Sequence, residues 1–138
     1  MKFINKLPIF LSALVLATST YAAEEIICPS LDSIKAEMLT KSERAVDTLY
    51  VAFNISNYGQ KDAWVFAIGP IDASSLEDAL LQGNDVLANM TVSGVPRKDR
   101  GTIFCTYDTN QPNILSAAFK GLTFSSDLIN KLLFLGPR

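Results

Sequence analysis

Two cysteines, Cys28 and Cys105, stand 77 positions apart. If their thiols meet an oxidising compartment, everything between them must fold with its two ends a bond length apart. That condition rests on the first two dozen residues. Met1 to Lys6 is basic through Lys2 and Lys6, Leu7 to Ala17 is an apolar run, and Thr18 to Ala22 is built of small residues around Tyr21. A basic start, a short apolar middle and a small-residue exit form a secretory signal peptide. The apolar run is far shorter than the roughly 20 residues a bilayer span needs, and Pro8 and Ser12 interrupt it. Cleavage after Ala22 puts Thr20 and Ala22 at the small-residue positions, whereas cleavage one residue later would put Tyr21 there. Cys28 is no lipoprotein cysteine, because Glu25-Ile26-Ile27 ahead of it lacks the small residues that processing requires.

The expectation is therefore a signal peptide over residues 1–22 and a mature domain over 23–138, exported to the periplasm or fully secreted. With two cysteines there is one intramolecular connectivity, so Cys28–Cys105 is expected as a structural disulfide. On the chain-entropy model, closing a loop of that length contributes at most about 4.5 kcal/mol. A redox or metal pair is the alternative, but the chain has no Cys-x-x-Cys and no histidine. Processing removes two of the 12 basic residues and none of the 14 acids, leaving ten against fourteen. A mildly acidic chain argues against nucleic acid and anionic membrane surfaces as partners. No later apolar run reaches membrane length, so no transmembrane segment is expected after cleavage.

Along the mature chain, Pro29 suits a first helical turn, and Leu31, Ile34 and Met38 recur at helical spacing, which predicts a helix over 29–39. Thr40 to Arg44 reads as a polar connector. Leu49, Val51, Phe53 and Ile55 then alternate with Thr48, Tyr50, Ala52 and Asn54, a half-buried strand. A turn over 56–62 leads to a second strand over 63–68, with Trp64, Phe66 and Ile68 on one face, ended by Gly69-Pro70. Ser74 and Ser75 ahead of Glu77 and Asp78 form a capping signal for a second helix with Leu76, Leu80, Leu87 and Met90 on its apolar side. Gly83 is a point of kinking or breakage in that helix. Val92 to Val95 begins another strand with Arg97 to Gly101 as its turn. Thr102 to Tyr107 and Ile114 to Phe119 are the last strands, and Ser125 onward a short final helix. The order predicts a single α+β domain: an antiparallel sheet of four to five strands, two main helices packed on one face, and one disulfide joining the start of the first helix to the strand at Cys105.

Cys28-Pro29 with Ile34, Trp64-Val65-Phe66, and Cys105-Thr106-Tyr107 resemble a family of small exported bacterial proteins of largely unknown function, one member of which is described as hemin-binding. The resemblance spans the mature region. It implies an exported protein without a known enzymatic role, and hemin as a ligand to be weighed.

Hemin needs an apolar slot, an axial ligand and cations for its propionates. Without histidine, the ligand candidates are Tyr58, Tyr107, Met38 and Met90, and the propionate partners Arg97, Lys98 and Arg100. Each has a plainer reading. Tyr58 lies in a turn, Tyr107 in a strand, the methionines on apolar helix faces, and the basic cluster, diluted by Asp99, at a solvated hairpin tip. Trp64, the sole tryptophan, belongs to the core or to a ligand surface. Catalytic chemistry is poorly supplied: no histidine means no Ser-His-Asp or Cys-His centre, and no Gly-x-Ser-x-Gly elbow is present. A carboxylate pair for glycoside hydrolysis would have to come from Glu37, Glu43, Asp47, Asp72, Glu77 and Asp78, among which no spacing selects a pair. The functional expectation is an exported, disulfide-stapled, non-enzymatic binding protein, its partner a protein or a small apolar ligand such as hemin. The alternatives are a secreted inhibitor of a partner enzyme and, further off, a carboxylate-based hydrolase.

Overall fold

The computed structural model describes residues 25–121 and Asn130. The expected signal peptide over 1–22 and the expected final helix from Ser125 fall outside the described residues, Asn130 apart.

Helix α1 (Leu31–Glu37) opens where the Ser30 hydroxyl accepts the Ser33 N–H at 3.2 Å, a standard N-cap. It is shorter than the predicted 29–39. Met38 turns to a φ of 64° while its N–H still bonds the Ile34 carbonyl, so the helix stops two residues early. Leu39 nevertheless stays buried. The Asn84 side chain brackets its backbone, accepting from the Leu39 N–H at 2.8 Å and donating to its carbonyl at 3.0 Å.

The expected polar connector is a strand. β1 (Lys41–Val46) pairs antiparallel with β2 (Leu49–Ser56), from Lys41 opposite Phe53 to Val46 opposite Leu49. Its charged sequence conceals it because it is an outermost strand, where one edge meets water. β3 (Trp64–Asp72) continues through Gly69-Pro70 and pairs with β2 as far as Leu49 opposite Asp72. The dipeptide, joined by a cis bond, sits inside the strand and does not end it.

Helix α2 (Leu76–Ala88) starts at Ser75, whose hydroxyl accepts the Asp78 N–H, while the Asp78 carboxylate accepts the Ser74 N–H. The two bonds satisfy amides that a helix start leaves unpaired. Gly83 neither kinks nor breaks it. A Cβ there would lie 2.7 Å from the Ala52 Cβ and 3.0 Å from Leu39 Cδ1, so the missing side chain lets α2 settle onto β2. β4 (Val95–Asp99) takes in most of the expected turn, and the turn itself is Arg100-Gly101, with φ of 50° and 81°. Positive φ at both central residues is the geometry that matches the twist of a two-residue hairpin. β5 (Thr102–Tyr107) and β6 (Leu115–Lys120) complete the sheet.

Among the described residues the result is an α+β domain with a six-stranded antiparallel sheet in the order β1-β2-β3-β6-β5-β4, the helices α1 and α2 on one face, and one disulfide. The sheet has six strands where four to five were expected, because the charge-rich outer strand β1 had read as a connector. The main core lies on the helix side. There Tyr50, Ala52, Trp64, Phe66, Ile68, Cys105 and Ala118 pack with Ile34 of α1 and Ala79, Val86 and Leu87 of α2. The opposite face is apolar too, with Val51, Phe53, Val65, Ala67, Ala117 and Phe119 in a second buried cluster. The alternation read in β2 as half-buried is therefore buried on both sides.

Cys28 and Cys105 are bonded, as the sequence led us to expect, with Cα atoms 5.9 Å apart. Replacing both by alanine should lower the free energy of unfolding by about 3–4 kcal/mol, read by urea titration. Gly83→Ala should destabilise by about 1–2 kcal/mol, the net of overpacking against Ala52 and a helix-propensity gain of about 1 kcal/mol. A stabilised Gly83→Ala variant would contradict the close helix–sheet contact.

Candidate ligand cleft

The register of the sheet assembles a site from four strands. Trp64 of β3 stands opposite Lys120 of β6, and Lys98 of β4 opposite Ile103 of β5. Phe104 faces Phe119 across β5 and β6, so Ile103 falls beside Lys120. Trp64, Lys120, Ile103 and Lys98 thus form one row on the helix side, near one end of the sheet. The lead-in residues Glu25, Ile26 and Ile27 lie against this row, and Gln60 closes its side. Together they enclose a cleft of about 630 Å³.

Each wall is fixed by its neighbours. Gln60 Nε2 donates to the Ile27 carbonyl at 3.0 Å, and its Oε1 accepts the Trp64 indole N–H at 3.0 Å. One amide therefore ties the incoming chain to the tryptophan, a residue only 2% exposed. Gln60 itself sits on a turn shaped by Tyr58 and Gly59, with φ of 47° and 77°, and by the Asn57 side chain, which accepts the Gly59 N–H. The disulfide at Cys28 anchors the next residue after Ile27 to β5. Lys120 is paired with Asp62 at 3.0 Å, and both side chains are partly exposed. Lys98 has no ion-pair partner among the described residues. The cleft is therefore apolar on its floor and lead-in side and carries two ammonium groups on its row, with Glu25 a single acid at the lead-in side.

Of the residues singled out in the sequence, Trp64 and Lys98 come together here. Arg97 and Arg100 do not. Arg97 neighbours Lys98 on β4, so it faces the other side of the sheet, where it stands opposite Phe104 and its Nε reaches Thr106 Oγ1 at 3.4 Å. Arg100 occupies the hairpin turn and is exposed. Tyr58 and Tyr107 are buried in the main core. Tyr107 meets Phe66 edge-on at 5.4 Å and donates its hydroxyl to the Pro29 carbonyl at 2.6 Å. Its ring also lies against Gly94, where a Cβ would come within 2.6 Å. Met90 is buried in the same core, and Met38, half exposed, borders a separate shallow hollow with Lys35 and Leu87. Gln60, Ile26, Ile27, Ile103 and Lys120 were not read from the sequence as site residues. Extending the hairpin registers across the sheet would have found Ile103 and Lys120. Gln60 and the lead-in isoleucines carry no local signal.

The two buried tyrosines show what the interior does to an ionisable group. Burial pushes the Tyr107 hydroxyl well above its ordinary pKa, and the neighbouring Tyr58 adds to this. Tyr58 is raised chiefly by burial, then by the Glu37 carboxylate, with a hydrogen bond from Asn54 acting the other way. Asp78 lies on the opposite side of its ordinary value, held down first by the Ser74 N–H and then by the Gln82 side chain. Among the described residues no three of His, Cys, Asp or Glu stand close enough to hold a metal ion. No helix among them is long and apolar enough to cross a membrane.

The raised tyrosines make an alkaline prediction. Below the unfolded-state value of about 10, both states keep the proton and stability is unaffected. Above it the unfolded chain releases protons that the folded chain retains, so stability falls with rising pH. Urea titrations at pH 9 and pH 11 should show this fall, and Tyr107→Phe should reduce it. The same variant should lose about 1 kcal/mol at neutral pH, since the Pro29 carbonyl loses its donor.

Residues 27–131 match the model of a family described as a domain of unknown function, DUF4949. No curated protein and no solved structure matches the chain.

Proposed function

We propose, for a chain that belongs to the DUF4949 family, an exported, disulfide-stapled, non-enzymatic binding protein whose ligand is an apolar molecule bearing an anionic group. The observation that carries this reading is the row Trp64, Lys120, Ile103 and Lys98 under Ile26 and Ile27. Its volume of about 630 Å³ falls within the range of about 300–1,000 Å³ that small-molecule sites occupy. The isoleucines and the indole offer apolar contact, and Lys98, without an ion-pair partner among the described residues, offers a counter-charge to a carboxylate. Lys120 is partly committed to Asp62, so Lys98 is the stronger anion partner.

Export is supported by the signal-like start of the chain and by a disulfide of the kind that persists in oxidising compartments. A binding role, and no reaction, suits a cleft whose lining, among the described residues, offers no histidine, cysteine or hydroxyl nucleophile. Hemin belongs to the same chemical class, an apolar ring with carboxylates. Among the described residues the lining has no His, Cys, Met or Tyr to coordinate its iron, so these residues would hold hemin by its ring and propionates alone.

Trp64 is the sole tryptophan and lines the cleft, so its emission reports occupancy directly. Titration with oleate, and separately with hemin, should change that emission saturably. Lys98→Ala should weaken oleate about threefold to fivefold, the value of one partly exposed ion pair, and the neutral oleyl alcohol should bind equally to both proteins. Absence of a saturable change with either probe overturns the reading. So does an oleate affinity that Lys98→Glu leaves unaltered.

A further inference from the structure

Lys120 lines the cleft, and its ammonium already has a partner, the Asp62 carboxylate at 3.0 Å. Asp62 stands two residues after Gln60 and two before Trp64, on the segment that joins the latch to the floor. The described lining holds Lys120 and not Asp62, so the carboxylate meets the ammonium at the margin of the cleft. The backbones of the two partners are joined without this ion pair. Trp64 pairs with Lys120 across β3 and β6, and the Gly121 N–H donates to the Ala63 carbonyl at 2.9 Å. The pair can therefore part and re-form by side-chain rotation alone, with the sheet unmoved. Its side chains are 38% and 53% exposed, and an ion pair so wetted shifts an equilibrium by no more than about fivefold. A contact this weak, next to a cleft, yields readily to a rival anion.

We propose that Asp62 is an internal competitor for the ligand's anionic group: it holds Lys120 while the cleft is empty, and an arriving carboxylate displaces it. The exchange rests on the ligand reading above and names the residue that sets affinity there. Lys98 and Lys120 share the helix side of the sheet, two strand spacings apart, with Ile103 of β5 between them. That separates their Cα atoms by about 10 Å, and the flexible four-carbon stems of lysine let both ammoniums converge on one anion above Ile103. A carboxylate seated there meets Lys98, which has no ion-pair partner among the described residues, and Lys120, which must change partners. The change breaks one carboxylate–ammonium contact to make another. Lys120 therefore adds little net affinity as long as Asp62 keeps its charge.

Two other roles for the same contact predict different results. A carboxylate that positions Lys120 for the ligand strengthens anion binding, so its removal weakens it. A carboxylate that only ties β6 to the turn leaves anion binding alone, and the ladder bonds beside it already make that tie. Competition has the opposite sign: removing the charge of Asp62 tightens anion binding, and only while Lys120 is there to be freed.

The test is Asp62→Asn in the full chain, which keeps the size of the side chain and removes its charge. Followed by Trp64 emission, oleate should bind this variant about threefold to fivefold more tightly than the unaltered protein. Oleyl alcohol, which has no charge to compete, should bind both equally. With Lys120→Met in both backgrounds the gain should vanish, because no ammonium remains to be released. Oleate affinity that Asp62→Asn leaves unchanged overturns the proposal, and a weakened affinity overturns it in favour of a positioning role. A gain that survives Lys120→Met also overturns it, since the lost charge then acts on the cleft as a whole. So does a gain that oleyl alcohol shares. The ligand reading fails by a different result, no saturable oleate signal in the unaltered protein, and the proposal falls with it.

Discussion

Cys28 is bonded to Cys105 in β5, and two residues further along that strand the Tyr107 hydroxyl donates to the carbonyl of Pro29. These two attachments, one covalent and one polar, fix the entering chain on the sheet before α1 begins. Much of the helix side follows from them. Ile27 can meet Gln60 because the next residue is bonded to β5, and Gln60 in turn orients the Trp64 indole. Gly94 leaves room for the Tyr107 ring, so the loop before β4 is held close to the same anchor. A loss at Cys105 would thus be felt at Trp64, two strands away in the sheet, through bonded neighbours.

Other contacts hold the second half of the helix layer. Asn84 of α2 brackets the backbone of Leu39, Ser42 of β1 donates to the Leu76 carbonyl at the start of α2, and Lys35 of α1 reaches the Ala88 carbonyl at its end. α2 is therefore held at three points along its length, and Gly83 lets its middle approach Ala52. A helix so placed covers β1, β2 and β3 and leaves the Trp64 end of the sheet to the lead-in residues. The cleft occupies the part of the sheet that the helix does not reach.

The α+β class, the disulfide, both helices and the central strands were legible because each has a strong local signal. Period-two alternation marks β2 and β3, serine caps mark α2, and two cysteines in a chain read as exported have one partner each. β1 was hidden and β4 was placed too early because an outer strand need bury little: Thr40 to Arg44 read as a polar connector, and Arg97 to Gly101 as the turn after a strand begun at Val92. Gly69-Pro70 misled for another reason: Pro lacks the N–H for a ladder bond, yet β3 runs through it. The alternation in β2 was also read with one dry side. In the folded sheet Tyr50 and Ala52 face the helices while Val51 and Phe53 are buried behind them. The cleft was the least legible part. Its residues come from four strands, a turn and the lead-in, and only pairing registers bring them together. Tyr58 and Tyr107 drew notice as chemically capable side chains, and their place is in the packed interior.

The two outer strands have one more consequence. β1 presents Lys41, Glu43 and Arg44, and β4 presents Pro96, Arg97, Lys98 and Asp99, every residue of it exposed. An unpaired sheet edge is a template for further strands, and charge and proline are what make it a poor one. For the exported protein proposed above, no cytosolic chaperone is at hand to separate it from its own copies, so the edges themselves must resist pairing. The same polar residues that disguised β1 and β4 in the sequence give the sheet two ends at which it stops growing.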